Sequence, residues 1–193
     1  MEALHRLIIW FNNKHGTNIP LLGIDTEPLN NSSWFSGFLE ADGSFYFNFK
    51  LNKNDIPIGI VYYLRISQKQ TYNRRVDSNV NMSNLPHMQL IADLFKVNIT
   101  NIERVKDKYT ERAYEVRTDR EESKLILFDY LNKFPLFGYK YFAHTNLEIL
   151  HNMVLNKEHK LTDGKDKIIL HKGLMKYDDT KHNWNHLNNF YKK

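Results

Sequence analysis

The stretch Trp34-Phe35-Ser36-Gly37-Phe38-Leu39-Glu40-Ala41-Asp42-Gly43-Ser44-Phe45 decides the fold. It reads as a short helix that runs straight into a strand. Asn31 or Ser32 can serve as N-cap, accepting from an orphan backbone N–H. Phe35, Phe38 and Leu39 fall at i, i+3 and i+4, which makes one face apolar. Ser33, Gly37 and Ala41 recur every four residues and make a second face small, so another helix can approach backbone against backbone. Asp42 follows in the last turn, just before Gly43. A helix C-terminus repels negative charge, so a carboxylate there invites a cation. Glu40 points roughly 200° away from Asp42 at about 3.6 residues per turn. It reads as a structural acid paired on its own surface.

Beyond the motif, residues 44–52 alternate as a strand. Phe45, Phe47, Phe49 and Leu51 go one way; Ser44, Tyr46, Asn48, Lys50 and Asn52 go the other. A turn with Pro57 leads to a second strand, 59–70, with Ile60, Tyr62, Leu64 and Ile66 inward and Val61, Tyr63, Arg65 and Ser67 outward. Residues 71–83, with Arg74 and Arg75, read as a polar loop. A helix over 85–95 follows, then shorter strands over 98–107 and 112–119. In the second of these, Tyr114 and Val116 face the core, opposite Ala113, Glu115 and Arg117. Helices are predicted over 120–132, 139–156 and 163–176. Upstream, residues 2–13 form an amphipathic helix, and 14–30 an extended arm whose Ile19, Leu21, Leu22 and Ile24 need a surface to lie on. The tail carries Trp184, Leu187, Phe190 and Tyr191, apolar enough to pack back on the body. His182 and His186, an i, i+4 pair, read as surface residues.

Composition sets the bounds. A chain of 193 residues suits one compact domain with an arm. The 27 basic and 22 acidic residues give a net charge of +5, compatible with a polyanionic partner. Cysteine is absent, which excludes disulfides, thiolate zinc sites and cysteine catalysis. No apolar run reaches membrane-spanning length, and no signal or import sequence is visible. H-E-x-x-H and Gly-rich phosphate loops are missing. The wealth of Asn, Lys, Ile and Tyr is what an AT-rich gene would give.

Residues Phe35 to Gly43 resemble the motif that names the LAGLIDADG family of homing endonucleases and intron maturases. The match is letter for letter at Gly37, Ala41, Asp42 and Gly43, with the other five positions similar in size or charge. The order of elements and the segment "FPLFGYKYF" extend the resemblance over about residues 30–155. It implies an α+β, αββαββα domain over 30–156, in which a four-stranded antiparallel saddle backed by helices sits on DNA. Residues 1–29 would be a lead-in helix and arm, resembling the segment before the second repeat of two-motif mitochondrial members; the alternative is a plain N-terminal helix packed on the domain. Residues 157–193 would pack on the domain.

The resemblance also implies roles. Asp42, with Gly43 beside it, would hold magnesium and pair with an acid from a second motif helix. Gln68, in "ISQKQ", matches the family's water-positioning Gln; the alternative is a polar DNA contact. Lys140 matches its charge-stabilising base; the alternative is a solvated surface Lys. DNA would meet Ser44, Tyr46, Asn48, Lys50, Asn52, Arg65, Arg104, Lys106, Glu115 and Arg117, with phosphate contacts from Lys69, Arg74 and Arg75. Ser33, Gly37 and Ala41 would form the helix-pairing face, met by an identical chain or a preceding repeat. The function implied is an intron-encoded, magnesium-dependent, site-specific DNA endonuclease in the mitochondrion. An RNA-binding maturase that helps its host intron splice, and a catalytically dead relic, are the other readings.

Overall fold

The computed structural model describes residues 2–22, 27–72, 82–176, 178 and 183–189. Helix α1 (Glu2–His15) precedes the motif helix α2 (Trp34–Asp42), which passes without a break into strand β1 (Gly43–Leu51). Then come β2 (Pro57–Lys69), two-residue strands β3 (Thr71–Tyr72) and β4 (Met82–Ser83), α3 (Leu85–Phe95), β5 (Thr100–Val105) and β6 (Thr110–Arg117). Helices α4 (Glu121–Lys133), α5 (Lys140–Leu155) and α6 (Gly164–Leu174) complete the order. The four long strands form one antiparallel sheet, β1-β2-β6-β5. This is the α+β saddle expected from the sequence.

The alternation seen in β1 and β2 is real. Phe47, Tyr62, Leu64 and Ile66 are buried on the helix side of the sheet. They meet Phe35 and Leu39 of α2, Phe95 of α3, Leu127 of α4, Leu147 of α5 and Ile168 of α6. The register slips between Asn48 and Lys50, where Gly59 takes φ +56°, a left-handed value that glycine adopts without strain. The bulge sends Ile58 out to solvent, off the inward row that its sequence parity predicts.

Local details depart from the sequence reading. Ser33, not Asn31 or Ser32, is the N-cap of α2, and it makes no side-chain cap bond. The orphan Ser36 N–H donates to Tyr130 Oη at 2.9 Å, and that hydroxyl donates to Ser32 O at 2.9 Å. A tertiary partner on α4 therefore does the work of a local cap. Residues 71–83 are not all loop, because Thr71–Tyr72 pairs with Met82–Ser83. Arg74 and Arg75 lie outside the described residues, as does Ile24. Helix α1 folds back on its own arm: Asn12 Nδ2 donates to Ile19 O, and Ile19 N–H to Asn12 Oδ1, both at 2.9 Å. Its apolar Leu4, Leu7 and Trp10, and Leu22 of the arm, stay largely exposed.

Beneath the sheet lies a polar set that the pattern does not reveal. Tyr62 Oη is 3.0 Å from His151 Nδ1, and His151 Nε2 is 3.3 Å from Glu121 Oε1. The Lys124 ammonium stands 4.2 Å from the Tyr62 ring centroid. Burial pushes the Tyr62 hydroxyl up to about 12, with Glu121 adding to it. His144, wedged against Phe45 and Phe128, is pushed down to about 4 by burial. A base whose folded pKa lies below its unfolded value takes up its proton on unfolding. Stability therefore falls as pH drops from about 6.5 to about 4. The loss due to His144 should approach roughly 3 kcal/mol. Urea unfolding between pH 7 and 4 checks this: His144→Leu should flatten the slope, and an unchanged slope would refute the assignment.

Candidate active site and nucleic-acid interface

The register delivers the candidate residues. Gly43 pairs with Ile66, so Gln68 on β2 comes beside the end of α2. Its Nε2 donates to Asp42 Oδ2 at 2.9 Å. Asp42 is exposed. Lys140, the first residue of α5, is only 7% exposed. Its Nζ donates to Leu39 O at 3.2 Å and to Ala41 O at 3.0 Å. An acid at a helix C-terminus marks a place that needs a cation. An ammonium now stands there, on the last carbonyls, where the helix dipole favours it. Desolvation lowers the Lys140 pKa, and Glu40 and Asp42 pull it back up. Lys140 is thus neither solvated nor free.

Glu40 turns the other way, as expected, but its hydrogen bond is to backbone rather than to a basic side chain. Its Oε2 accepts from Phe137 N–H at 3.1 Å, which ties α2 to the loop before α5. Gly43 is fixed by close approach: a Cβ there would sit 2.7 Å from Leu39 O. These contacts make the end of α2 a rigid platform for Asp42. Replacing Lys140 by Met takes a donor from the carbonyls of Leu39, which keeps the Gly43 N–H, and of Ala41. We expect a loss of about 1–3 kcal/mol in denaturant unfolding, alongside lost activity. Unchanged stability would mean that the ammonium does not hold the helix end.

Ser33, Gly37 and Ala41 are all exposed. A Cβ built on Gly37 meets nothing within 4 Å. Phe35 is fully buried in the core. Trp34 instead flanks the small face, 62% exposed and stacked on Phe38 at 5.8 Å. A groove of about 250 Å³ beside it is lined by Leu29, Trp34, Phe38, Leu90 and Ile91, among others.

Cross-strand partners share a face, so the pairing defines the outer surface. Ser44 lies opposite Arg65, Tyr46 opposite Tyr63, Arg65 opposite Arg117, Ser67 opposite Glu115 and Thr100 opposite Glu115. Ser44, Tyr46, Asn48, Lys50, Lys69 and Arg117 are exposed on it, and Arg65 is half-buried. Three residues behave differently from the sequence reading. Glu115 is 1% exposed, so it presents nothing to a partner. Asn52 lies in the hairpin turn, where its Oδ1 accepts from the N–H groups of Asn54 and Ile56. Asn48 Oδ1 accepts from Lys172 Nζ at 3.0 Å. Lys172, on α6, thereby reaches the sheet edge, and nothing local in the sequence signals it. Arg104 and Lys106 both flank Glu111, at 3.7 and 3.9 Å.

His186 is not a plain surface residue. It stacks on Tyr141 at 3.9 Å, and its Nε2 is 3.1 Å from Phe137 O. Trp184 packs edge-on against Phe142, so this part of the tail does fold back. Phe190, Tyr191 and His182 lie outside the described residues. Among the described residues no group of three or more His, Asp or Glu could enclose a metal ion. At the end of α2 the exposed Asp42 carboxylate is an oxygen ligand of the kind that a hard divalent ion takes.

The family model for LAGLIDADG endonuclease matches residues 35–151. A protein of Mycosarcoma maydis named probable intron-encoded DNA endonuclease aI1 is 34% identical over 89 residues, 46% of this chain and 70% of the relative. Among solved structures, I-LtrWI bound to target DNA superposes with a TM-score of 0.60 at 19% identity, covering 86% of this chain and 50% of that one. The homing endonuclease I-TnaI gives 0.56 at 18% identity, covering 86% and 96%. I-SmaMI bound to uncleaveable DNA gives 0.56 at 15%, covering 86% and 52%. The chain therefore spans nearly all of I-TnaI and about half of the other two, with the same fold. With the motif on α2, the four-stranded antiparallel sheet and a family match over more than half its length, this protein belongs to the LAGLIDADG endonuclease family.

Proposed function

We propose that the chain is one unit of a site-specific DNA endonuclease that cuts both strands of a long duplex after pairing with a second unit of its kind. The observation that carries this is the convergence of exposed Asp42 with Gln68 and Lys140, where the motif helix enters the sheet. The intron-encoded relative and the neighbours solved on DNA support double-stranded DNA as substrate. Residues 30–156 form the nuclease unit, with 1–29 as a lead-in helix and arm and 157–193 packed on the unit; Ile168, buried in the same core, supports that packing. The relative's name as intron-encoded and this chain's Asn-, Lys- and Ile-rich composition support an organellar gene and a mitochondrial site of action.

Two divalent ions, magnesium on this reading, would supply the activated water and steady the leaving oxygen. Asp42 is the ligand this chain offers, and Gly43 keeps the helix end tight beside it. Gln68 holds the Asp42 carboxylate and can orient a water with its remaining amide capacity. Lys140 spends two of its three N–H donors on Leu39 and Ala41. Its charge stabilises the carboxylate before phosphate arrives and the phosphate's added charge afterwards. The outer face supplies Ser44, Tyr46, Asn48, Lys50, Arg65 and Arg117 to base edges, and Lys69, Arg104, Lys106 and Lys172 to the backbone.

The test is cleavage by wild-type protein, with magnesium, of a plasmid carrying a site selected from a randomised duplex library. Linear product supports the reading. Binding to intron RNA with no cleavage of any duplex would overturn it in favour of the maturase. Affinity for the duplex should also fall about a hundredfold between 50 and 200 mM salt if some four phosphates are neutralised. A flat salt response, followed by fluorescence anisotropy, would count against the basic face.

A further inference from the structure

On the outer face of the sheet a buried carboxylate stands where an exposed residue belongs. Glu115 is 1% exposed, in an inner strand, with Ser67 opposite on one side and Thr100 on the other. Burying a carboxylate is costly unless it is paired and hydrogen-bonded. Its partner is Arg117, two residues along the same face, whose Nε donates to Glu115 Oε1 at 2.5 Å. The Arg117 guanidinium also lies 5.0 Å from the Tyr63 ring centroid, and Tyr63 stacks on Tyr46 at 4.9 Å. Arg117 sits directly opposite Arg65. Like charges in that position repel, and the Glu115 carboxylate on Arg117 offsets this.

This arrangement suits one kind of contact better than another. A phosphate contact needs positive charge and tolerates a loose side chain, so an adjacent carboxylate weakens it. A base contact needs orientation. With Nε committed to Glu115 and one face of the fork against Tyr63, the two terminal nitrogens of Arg117 form a fixed pair of donors. The side chain remains 42% exposed, so the fork can still be reached. Paired donors of that geometry match the O6 and N7 acceptors of guanine in the major groove.

We infer that Glu115 is a positioning residue that presets Arg117 to select guanine at one position of the bound duplex. The inference rests on the proposed DNA-binding role of the sheet. It gives Glu115 a task that direct contact with DNA cannot, because the carboxylate is covered.

The test is selection of bound duplexes from a randomised library by the full chain, in calcium so that cutting does not intervene. Wild type should enrich guanine at one position, repeated symmetrically if the units are identical. Arg117→Lys should lower that preference about tenfold and leave the other positions unchanged. Glu115→Gln should lower it at the same position, and the double variant should match Arg117→Lys alone. Non-additivity of that kind shows that Glu115 acts through Arg117. A Glu115→Gln profile equal to wild type, or a loss spread evenly over all positions, overturns the inference. Should Glu115→Gln fail to fold, Arg117→Lys and Tyr63→Leu carry the test, and an unchanged guanine preference in both overturns it. A wild-type library that enriches no sequence refutes instead the site-specific DNA reading itself.

Discussion

Asp42→Asn leaves duplex binding within a few-fold of wild type and lowers cleavage by three orders of magnitude or more, about 4 kcal/mol of barrier. The substitution keeps size and shape. Its side-chain oxygen can still accept from Gln68, whose amide lies 2.9 Å from the carboxylate in wild type. What it removes is the negative charge that a hard divalent ion requires. The sheet that meets DNA is untouched, since Asp42 is exposed and lies before β1 begins. An acid in the last turn of a helix also opposes the dipole by roughly 0.3–1 kcal/mol. Relief of that term and loss of the attraction to Lys140 oppose each other, so the variant should stay close to wild type in stability, which separates inactivity from unfolding. Plasmid linearisation in magnesium and anisotropy in calcium read the two arms. Undiminished cleavage would remove Asp42 from the metal site.

Gly37→Leu has the second large effect, and it acts between units. Glycine inside a helix costs about 1 kcal/mol relative to alanine, and leucine is a good helix former. A Cβ at Gly37 meets nothing within 4 Å, so the isolated unit should gain stability. Yet pairing through Ser33, Gly37 and Ala41 requires backbones closer than the usual 8–10 Å between helix axes, and a leucine prevents that. Assembly should weaken more than a hundredfold, roughly 3 kcal/mol, with cleavage lost in step. The exposed Trp34 and the groove beside Phe38 are the surface left uncovered by this loss. Sedimentation and urea unfolding of the same sample decide the point. A variant that assembles and cuts normally would show that the small face packs on nothing.

The sequence made the frame legible wherever a periodic pattern ran long enough. Helix α3 falls on residues 85–95 as its Met88, Ile91, Ala92 and Phe95 stripe requires. The Phe45-Phe47-Phe49 alternation gives β1 its face, and the motif gives α2 its sharp end. What stayed hidden depends on distance along the chain. The resemblance singles out Lys140, but its hold on the Leu39 and Ala41 carbonyls exists only because α5 brings it there. Tyr130 replaces the local cap of α2 from ninety-four residues beyond Ser36. Glu115 follows the outward parity of β6, yet it is covered, because an inner strand has neighbours on both sides and Arg117 lies over the carboxylate. The slip near Gly59 shifts Ile58 out of step, and alternation alone cannot announce a bulge. Asn52 looked like the end of a strand, whereas its side chain folds the turn.

On the proposed reading Asp42 is half of a site completed by another unit. Sedimentation of the wild-type chain on its selected duplex in calcium, followed by addition of magnesium to the same complex, tests it most directly. The expected result is two motif helices per duplex, from two chains or from one chain joined to a preceding repeat, and breakage of both strands once magnesium is present. A complex holding one chain with one motif helix that still cuts both strands would contradict it.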